Sequence, residues 1–240
     1  MGAADQVSTA QQGPSVEAVA ANADPLLGNL GMFDTATLLE SNGGRGALPM
    51  RIRPVGLDVR VAGPAYPVRC PAGDNLWLHR AVSVAPKGSV LVACVDGFDE
   101  AGYWGEILTA AAMQRGLAGL VLDGAVRDAR RLIERGFPVF CTGRCVRGTT
   151  KDPSGRGTLG AAIRIGETEI EIGDAVIGDD DGVVVIASGA VATVRLVAAQ
   201  RVAREARIFE RIAEGESTIS IYGLARPVDS VNEKGYVRNV

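Results

Sequence analysis

Residues 102–128 read GYWGEILTAAAMQRGLAGLVLDGAVRD, and this stretch decides how the chain folds. A glycine-flanked loop, Gly102 to Gly105, leads into a helix-forming run over 106–115 that stops at Gly116. Leu120 to Leu122 then reads as the centre of a buried strand, closed by Asp123-Gly124. Arg127 and Asp128 follow at once and open a second helix, Asp128 to Arg135, ended by Gly136.

Working outward, Val90 to Val95 (VLVACV) is a continuous apolar run. Runs of this kind are buried on both faces and suit a parallel strand. Phe137 to Cys141 is a third strand, so the middle of the chain reads β-α-β-α-β with short connections. That order predicts an α/β fold, a single mixed-sheet domain with a parallel βαβαβ core. Upstream, 35–41 and 74–84 read as helices, the second with Asp74 as its N-cap and Leu76, Trp77, Ala81 and Val82 on its apolar face. Short β runs are expected at Met50 to Arg53, Leu57 to Ala62 and Tyr66 to Cys70, with Gly63-Pro64 as a break. Downstream come antiparallel runs at 161–165, 168–172, 175–177 and 183–187, then a long amphipathic helix over 189–214. Residues 1–34 are small, polar and acidic, without a Lys or Arg, and read as a loosely packed extension in which 15–22 could form a short helix. The domain proper is expected over 35–224, with a tail over 225–240.

The chain has 240 residues and a net charge of -3, with no basic run, which argues against nucleic acid as a partner. No apolar run has the length of a membrane span, and the N-terminus lacks a secretory pattern, so a cytoplasmic protein is expected. The four cysteines read as structural thiols, since Cys141 and Cys145 have neither a second pair nor a nearby histidine to complete a zinc set. The single histidine, His79, falls near an apolar helix face and reads as structural.

Ligands of open α/β sheets sit at the carboxyl ends of the parallel strands. The loops after Asp96-Gly97 and Asp123-Gly124 should therefore open on one edge and gather Glu106, Arg127 and Asp128. The N–H groups of Glu106, Ile107 and Leu108 at a helix start can bind a carboxylate, and Gly102 and Gly105 let a ligand approach the backbone. Arg127 can hold a carboxylate through two parallel hydrogen bonds. Asp128 and Glu106 supply hard oxygens suited to Mg2+ or Mn2+. Together these describe a site for a small 2-oxo acid on a divalent metal. The same residues also read as ordinary helix-terminal charges. The Asp179-Asp180-Asp181-Gly182 cluster reads as a tight turn rather than a second metal site.

From about Thr35 to Leu224 the chain resembles the RraA-like family. The resemblance rests on VAGPAYPVRCPAGDNLWLHRAV, WGEILTAAAMQRGLAGLVLDGAVRD, RGFPVFCTG and GDAVIGDDDGVVVIA. Its most specific element is an acidic residue, a spacer of 20 residues, then Arg-Asp; the family's aldolases usually carry Asp where this chain has Glu106. Asp128 resembles the 4-hydroxy-4-methyl-2-oxoglutarate / 4-carboxy-4-hydroxy-2-oxoadipate aldolases, not the ribonuclease-regulator branch. The resemblance implies a swivelling-domain-like α/β fold and a homotrimer or homohexamer. It implies that Asp128 binds the metal, that Glu106 orients metal-bound water, and that Arg127 with the backbone from Gly105 to Leu108 holds the pyruvate portion. It further implies a water-mediated metal contact from a neighbouring subunit's glutamate, matched here by Glu205, or by Glu210. The implied reaction is a retro-aldol cleavage that releases pyruvate, with oxaloacetate decarboxylation as a side activity. A non-catalytic regulator that binds a partner protein is the alternative. A methyltransferase role is disfavoured, because GDAVIGDDDG does not resemble an adenosyl-methionine loop.

Overall fold

The structure, a computed structural model, describes residues 25–98 and 100–224. The expected helix over 15–22 and the tail over 225–240 lie outside the described residues. Helix α1 (Pro25–Leu30) lies within the stretch read as an extension, yet Leu27 and Leu30 are buried, so the packed chain begins by Pro25. Helix α2 (Thr35–Ser41) has the expected bounds. There follow β1 (Arg53–Pro54), β2 (Val61–Cys70), α3 (Leu76–Val84), β3 (Val90–Val95) and β4 (Gly102–Trp104). Next come α4 (Glu106–Gln114), β5 (Gly119–Val126), α5 (Ala129–Arg135) and β6 (Val139–Arg144). Short strands β7 (Thr158–Leu159), β8 (Ile163–Ile165) and β9 (Thr168–Ile170) precede the hairpin β10 (Ala175–Asp179) and β11 (Gly182–Ile186). Helices α6 (Val191–Ala213) and α7 (Thr218–Ile221) complete the described chain.

The chain divides between Leu196 and Val197 into two units. The first holds all the strands. Among the described residues, nine strands form one mixed sheet with the path β1-β6-β5-β3-β2-β10-β11, while β4 pairs with β5 and β7 with β2. Strands β3, β5 and β6 form the expected parallel βαβαβ core, and β2 adds a fourth parallel strand beside β3. At the two ends of the path, Arg53 Nη1 on β1 donates to Asp181 O beside β11, so the sheet curls towards closure. A separate hairpin, β8-β9, packs against one face.

The apolar runs are buried on both sides, as their lack of alternation requires. Leu91, Ala93, Leu120 and Leu122 face α3, α4 and α5, meeting Leu78, Ala81, Leu108, Ala112 and Leu132. Val90, Val92, Val121 and Phe140 face the other way, against Ile163, Ile165, Ile170, Val176 and Val183. Each fully buried side chain of this size contributes about 1.5–3 kcal/mol. Trp104 is fully buried beside the site; its Nε1 donates to Thr109 Oγ1 at 2.7 Å, and its ring stacks on Phe137.

Several expected boundaries move. Gly63-Pro64 does not break the chain, because β2 runs through it, paired with β10 on one side. A side chain at 63 would come within 2.6 Å of Gly88 O, so the glycine permits close packing. Leu57 to Arg60 is not strand: Asp58 has φ 59, and the Asp180 carboxylate accepts from the N–H groups of Asp58 and Val59. Of Met50 to Arg53, only Arg53 enters a strand. On α3, Leu78 rather than Leu76 is buried with Ala81 and Val82; Asn75 holds the N-cap position without a side-chain cap bond, while the expected Asp74 carboxylate accepts from Leu76 N. Asp123-Gly124 does not end its strand. The pairing of β5 shifts there, and β5 passes from β3 as neighbour to β4. The stretch expected as a loop before Glu106 thus contains a strand.

In the second unit, from Val197, Gly215 with φ 91 ends the helix, and Ser217 Oγ caps α7 by accepting from Ser220 N. Among the described residues, no helix is long and apolar enough to cross a membrane.

Candidate active site

The site forms where β4 and β5 end side by side. Arg127 N donates to Trp104 O at 2.8 Å, which fixes the end of β5 against the start of α4. Asp128 then turns with φ 57 and ψ 31, a left-handed conformation that Asp tolerates better than most residues. It sits at the N-cap of α5 but makes no side-chain cap bond. Its carboxylate instead reaches the other helix, where Oδ2 accepts from Glu106 N at 3.1 Å. Arg127 Nε lies 3.8 Å from the same oxygen. Among the described residues, Asp128 Oδ1 has no hydrogen-bond partner, and the side chain is 43% exposed. The fold thus brings Arg127, Asp128 and the start of α4 together, as the spacing predicted.

Three details differ from the sequence expectation. Asp128 already occupies the Glu106 N–H, which leaves those of Ile107 and Leu108 as the first-turn donors for an anion. The glycines serve the protein's own side chains. A Cβ at Gly105 would lie 2.6 Å from Asp128 Oδ2, and one at Gly102 would lie 2.8 Å from Arg127 Cβ. Glu106 is committed to Arg135 in the last turn of α5: its Oε1 accepts from Nη2 at 2.7 Å and Nε at 3.1 Å.

A pocket of about 90 Å³ opens here, on the scale of a small organic acid. Its lining includes Gly105, Ile107, Leu108, Arg127, Asn75 and His79, together with Lys151. His79, read as structural from the sequence, and Lys151, which the sequence reading did not place at the site, both line this pocket. Burial lowers the His79 pKa below its ordinary 6.5, and the Lys151 charge lowers it further, while Asp74 opposes the shift. Asn75 donates from Nδ2 to Tyr103 O at 2.8 Å, tying the start of α3 to β4. The pocket therefore carries two fixed cations, Arg127 and Lys151, beside a helix start. The signal for Lys151 lay in tertiary pairing: an isolated parallel bridge joins Asp74 to Thr150, and no local pattern announces it.

Among the described residues, no group of three or more His, Cys, Asp or Glu side chains forms a metal cage. The donors present do fit magnesium or manganese in its usual sparse mode, in which one or two carboxylates bind and water and ligand oxygens fill the rest. Asp128 offers its open Oδ1 for this. Glu106 reaches such an ion only through water or after releasing Arg135. Glu205 lies on α6 in the second unit, ion-paired with Arg201 at 2.7 Å, and Glu210 is exposed on the same helix. Asp179 is fully engaged elsewhere, as the turn reading predicted: its carboxylate accepts from Thr35 N, Thr35 Oγ1 and Asp181 N. The cysteines are free, and burial pushes the thiols of Cys70 and Cys94 up to about 12 and about 11, so both are inert at neutral pH.

This fold and site define a known class. The chain belongs to the RraA-like family, Aldolase/RraA, whose model matches residues 23–185. It is 36% identical over 142 residues to a protein named putative 4-hydroxy-4-methyl-2-oxoglutarate aldolase from Halalkalibacterium halodurans, covering 59% of this chain and 67% of that one. Among solved structures, it resembles an uncharacterized protein from Pseudomonas syringae pv. tomato with a TM-score of 0.70 and 29% identity, over 81% of this chain and 95% of that one. It also resembles the RNA-processing inhibitor RraA from Thermus thermophilis, with a TM-score of 0.58 and 25% identity, over 64% of this chain and 92% of that one.

Proposed function

We propose that the protein is a divalent-metal-dependent carbon–carbon lyase that cleaves a 4-hydroxy-2-oxo diacid to pyruvate and a second 2-oxo acid. The observation that carries this reading is a pocket lined by Arg127, Lys151 and the first turn of α4, with the Asp128 carboxylate bonded to Glu106 N and 3.8 Å from Arg127 Nε beside it. The likeness to a relative named as an aldolase supports it.

In this reading the pyruvate portion binds through its carboxylate to the N–H groups of Ile107 and Leu108 and to the Arg127 guanidinium. The 4-hydroxyl gives up its proton to solvent water and C4 becomes the carbonyl carbon of the second 2-oxo acid, while the C3–C4 electron pair moves onto C3 and the 2-oxo oxygen, leaving pyruvate enolate. Arg127 faces the charge that develops on that oxygen, a preorganised effect worth about 10²–10³ in rate. Water returns a proton to C3, which completes pyruvate. Lys151 supplies a cation for the second carboxylate. Magnesium or manganese, held by Asp128 and water, would act as a Lewis acid towards the 2-oxo oxygen. Glu205, or Glu210, from a neighbouring copy in a homotrimer or homohexamer would add a carboxylate near that ion, and Glu106 would orient its water. Oxaloacetate passes through the same enolate, so its decarboxylation is the expected side activity.

The deciding experiment is a lactate-dehydrogenase-coupled assay for pyruvate over a series of 4-hydroxy-2-oxo diacids, with magnesium and with chelator. Magnesium-dependent, chelator-sensitive release is expected. Inertness towards every diacid and towards oxaloacetate would withdraw the reading. It would favour the second one, a non-catalytic regulator that binds a partner protein. The likeness to RraA and the locking of Glu106 by Arg135 support that alternative.

A further inference from the structure

Lys151 sits outside regular secondary structure, yet its backbone is held on both sides by one buried carboxylate. Asp74 is 3% exposed. Its Oδ2 accepts from Thr150 Oγ1 at 2.9 Å and from Asp152 N at 2.5 Å, the residues on either side of Lys151. Its Oδ1 accepts from Leu76 N at 2.8 Å, which ties the same group to the start of α3, the helix that carries His79. Backbone bonds complete the joint: Asn75 N donates to Thr150 O, and Thr150 N donates to Gly73 O. The chain from 145 to 157 has no strand or helix of its own; bonds at Cys145, Arg147 and Gly155 hold its ends, and this joint holds it on either side of Lys151.

A helix start needs one acceptor for a first-turn N–H, and a neutral Asn or Ser suffices there. Asp74 serves three donors at once, which a carboxylate can do and an amide cannot. Such ionised acceptors make bonds roughly twice as strong as neutral ones. Resting on the lyase reading above, we propose that Asp74 is a positioning residue: by holding Thr150 and Asp152 it keeps Lys151 at the pocket for the substrate's second carboxylate. Arg127, directly after β5, and Asp128, at the start of α5, are bonded to Trp104 and Glu106 and not to Asp74, Thr150 or Asp152. The two halves of the substrate are therefore served by different parts of the chain, which meet at β4, where Asn75 Nδ2 donates to Tyr103 O.

The experiment separates those halves. Exchange of the pyruvate methyl protons into heavy water uses only the enolate half, whereas cleavage of a 4-hydroxy-2-oxo diacid uses both. In Asp74→Asn, the exchange rate is expected to match wild type while KM for the diacid rises about tenfold or more, the scale of lost hydrogen bonds to a charged acceptor. Lys151→Ala should raise KM similarly, and the double variant should be no worse than Lys151→Ala alone, because the two act through one contact. Thr150→Val removes only the hydroxyl bond and should shift KM the same way by less, which keeps the test decisive if Asp74→Asn folds poorly. An unchanged KM in both the Asp74 and Thr150 variants would overturn the proposal. So would an equal loss of pyruvate exchange, or effects that add in the double variant. A wild type that exchanges no pyruvate protons would remove the lyase reading itself, and this inference with it.

Discussion

Asp128 and Asp179 both sit where a strand ends, Asp128 among arginines and Asp179 in an acidic run, and they have opposite fates. Asp179 is buried, and its carboxylate accepts from Thr35 N, Thr35 Oγ1 and Asp181 N. It ties the start of α2 to the β10–β11 turn, with three donors on its carboxylate and Arg60 Nη2 3.9 Å away. Asp128 is half exposed, takes one backbone N–H on Oδ2 and keeps Oδ1 open. A satisfied acidic side chain contributes to stability; one left partly unsatisfied beside a cation and a helix start can act on something else. The acidic run at 179–181 looks the richer metal site in sequence, and the satisfaction of its hydrogen bonds decides against it.

That contrast can be broken at several points. The largest effect is expected from Asp128→Ala: pyruvate release from a diacid falls to background while the urea midpoint stays within that of an ordinary surface substitution. A large stability loss would move Asp128 into the class of Asp179. Gly105→Ala places a Cβ 2.6 Å from Asp128 Oδ2 and pushes the carboxylate aside. A displacement of that kind costs up to about 10²-fold in turnover, and steady-state kinetics with an unchanged melting curve would show it. Asp179→Ala should do the reverse, losing about 2–4 kcal/mol of stability by urea titration, because buried donors at Thr35 lose their acceptor. Its turnover per folded molecule should match wild type. The smallest effect concerns His79. Its folded pKa lies below the ordinary 6.5, so on acidification the unfolded chain takes up that proton first. Its share of stability is present above 6.5 and is lost as the pH falls towards the folded value. His79→Gln should therefore flatten the decline in stability between about pH 7 and 5.5, measured by urea titration at stepped pH.

The central fold was legible because its strands are buried on both faces, and VLVACV allows little else. Arg127 and Asp128 were legible because a strand end and a helix start fix them within a few residues. Three things were hidden. The passage of β5 from β3 to β4 looks, in sequence, like a strand stopping at Asp-Gly, since both outcomes use the same residue pair. Gly102 and Gly105 show that something approaches closely, but not that it is the chain's own Arg127 and Asp128. Lys151 reaches the pocket through a carboxylate far away in sequence, and no periodicity reports a contact between Asp74 and Thr150.

The change of neighbours along β5 has one more consequence. The position of Trp104 and Gly105, and so of the first turn of α4, is set by hydrogen bonds to β5 and not by the length of chain that joins β3 to β4. That connection can therefore be lengthened at the exposed Glu100 while the site stays in register. The edge of the sheet that carries the candidate site is modular: an insertion in its outer loop is expected to leave the pairing of β4 with β5 in place.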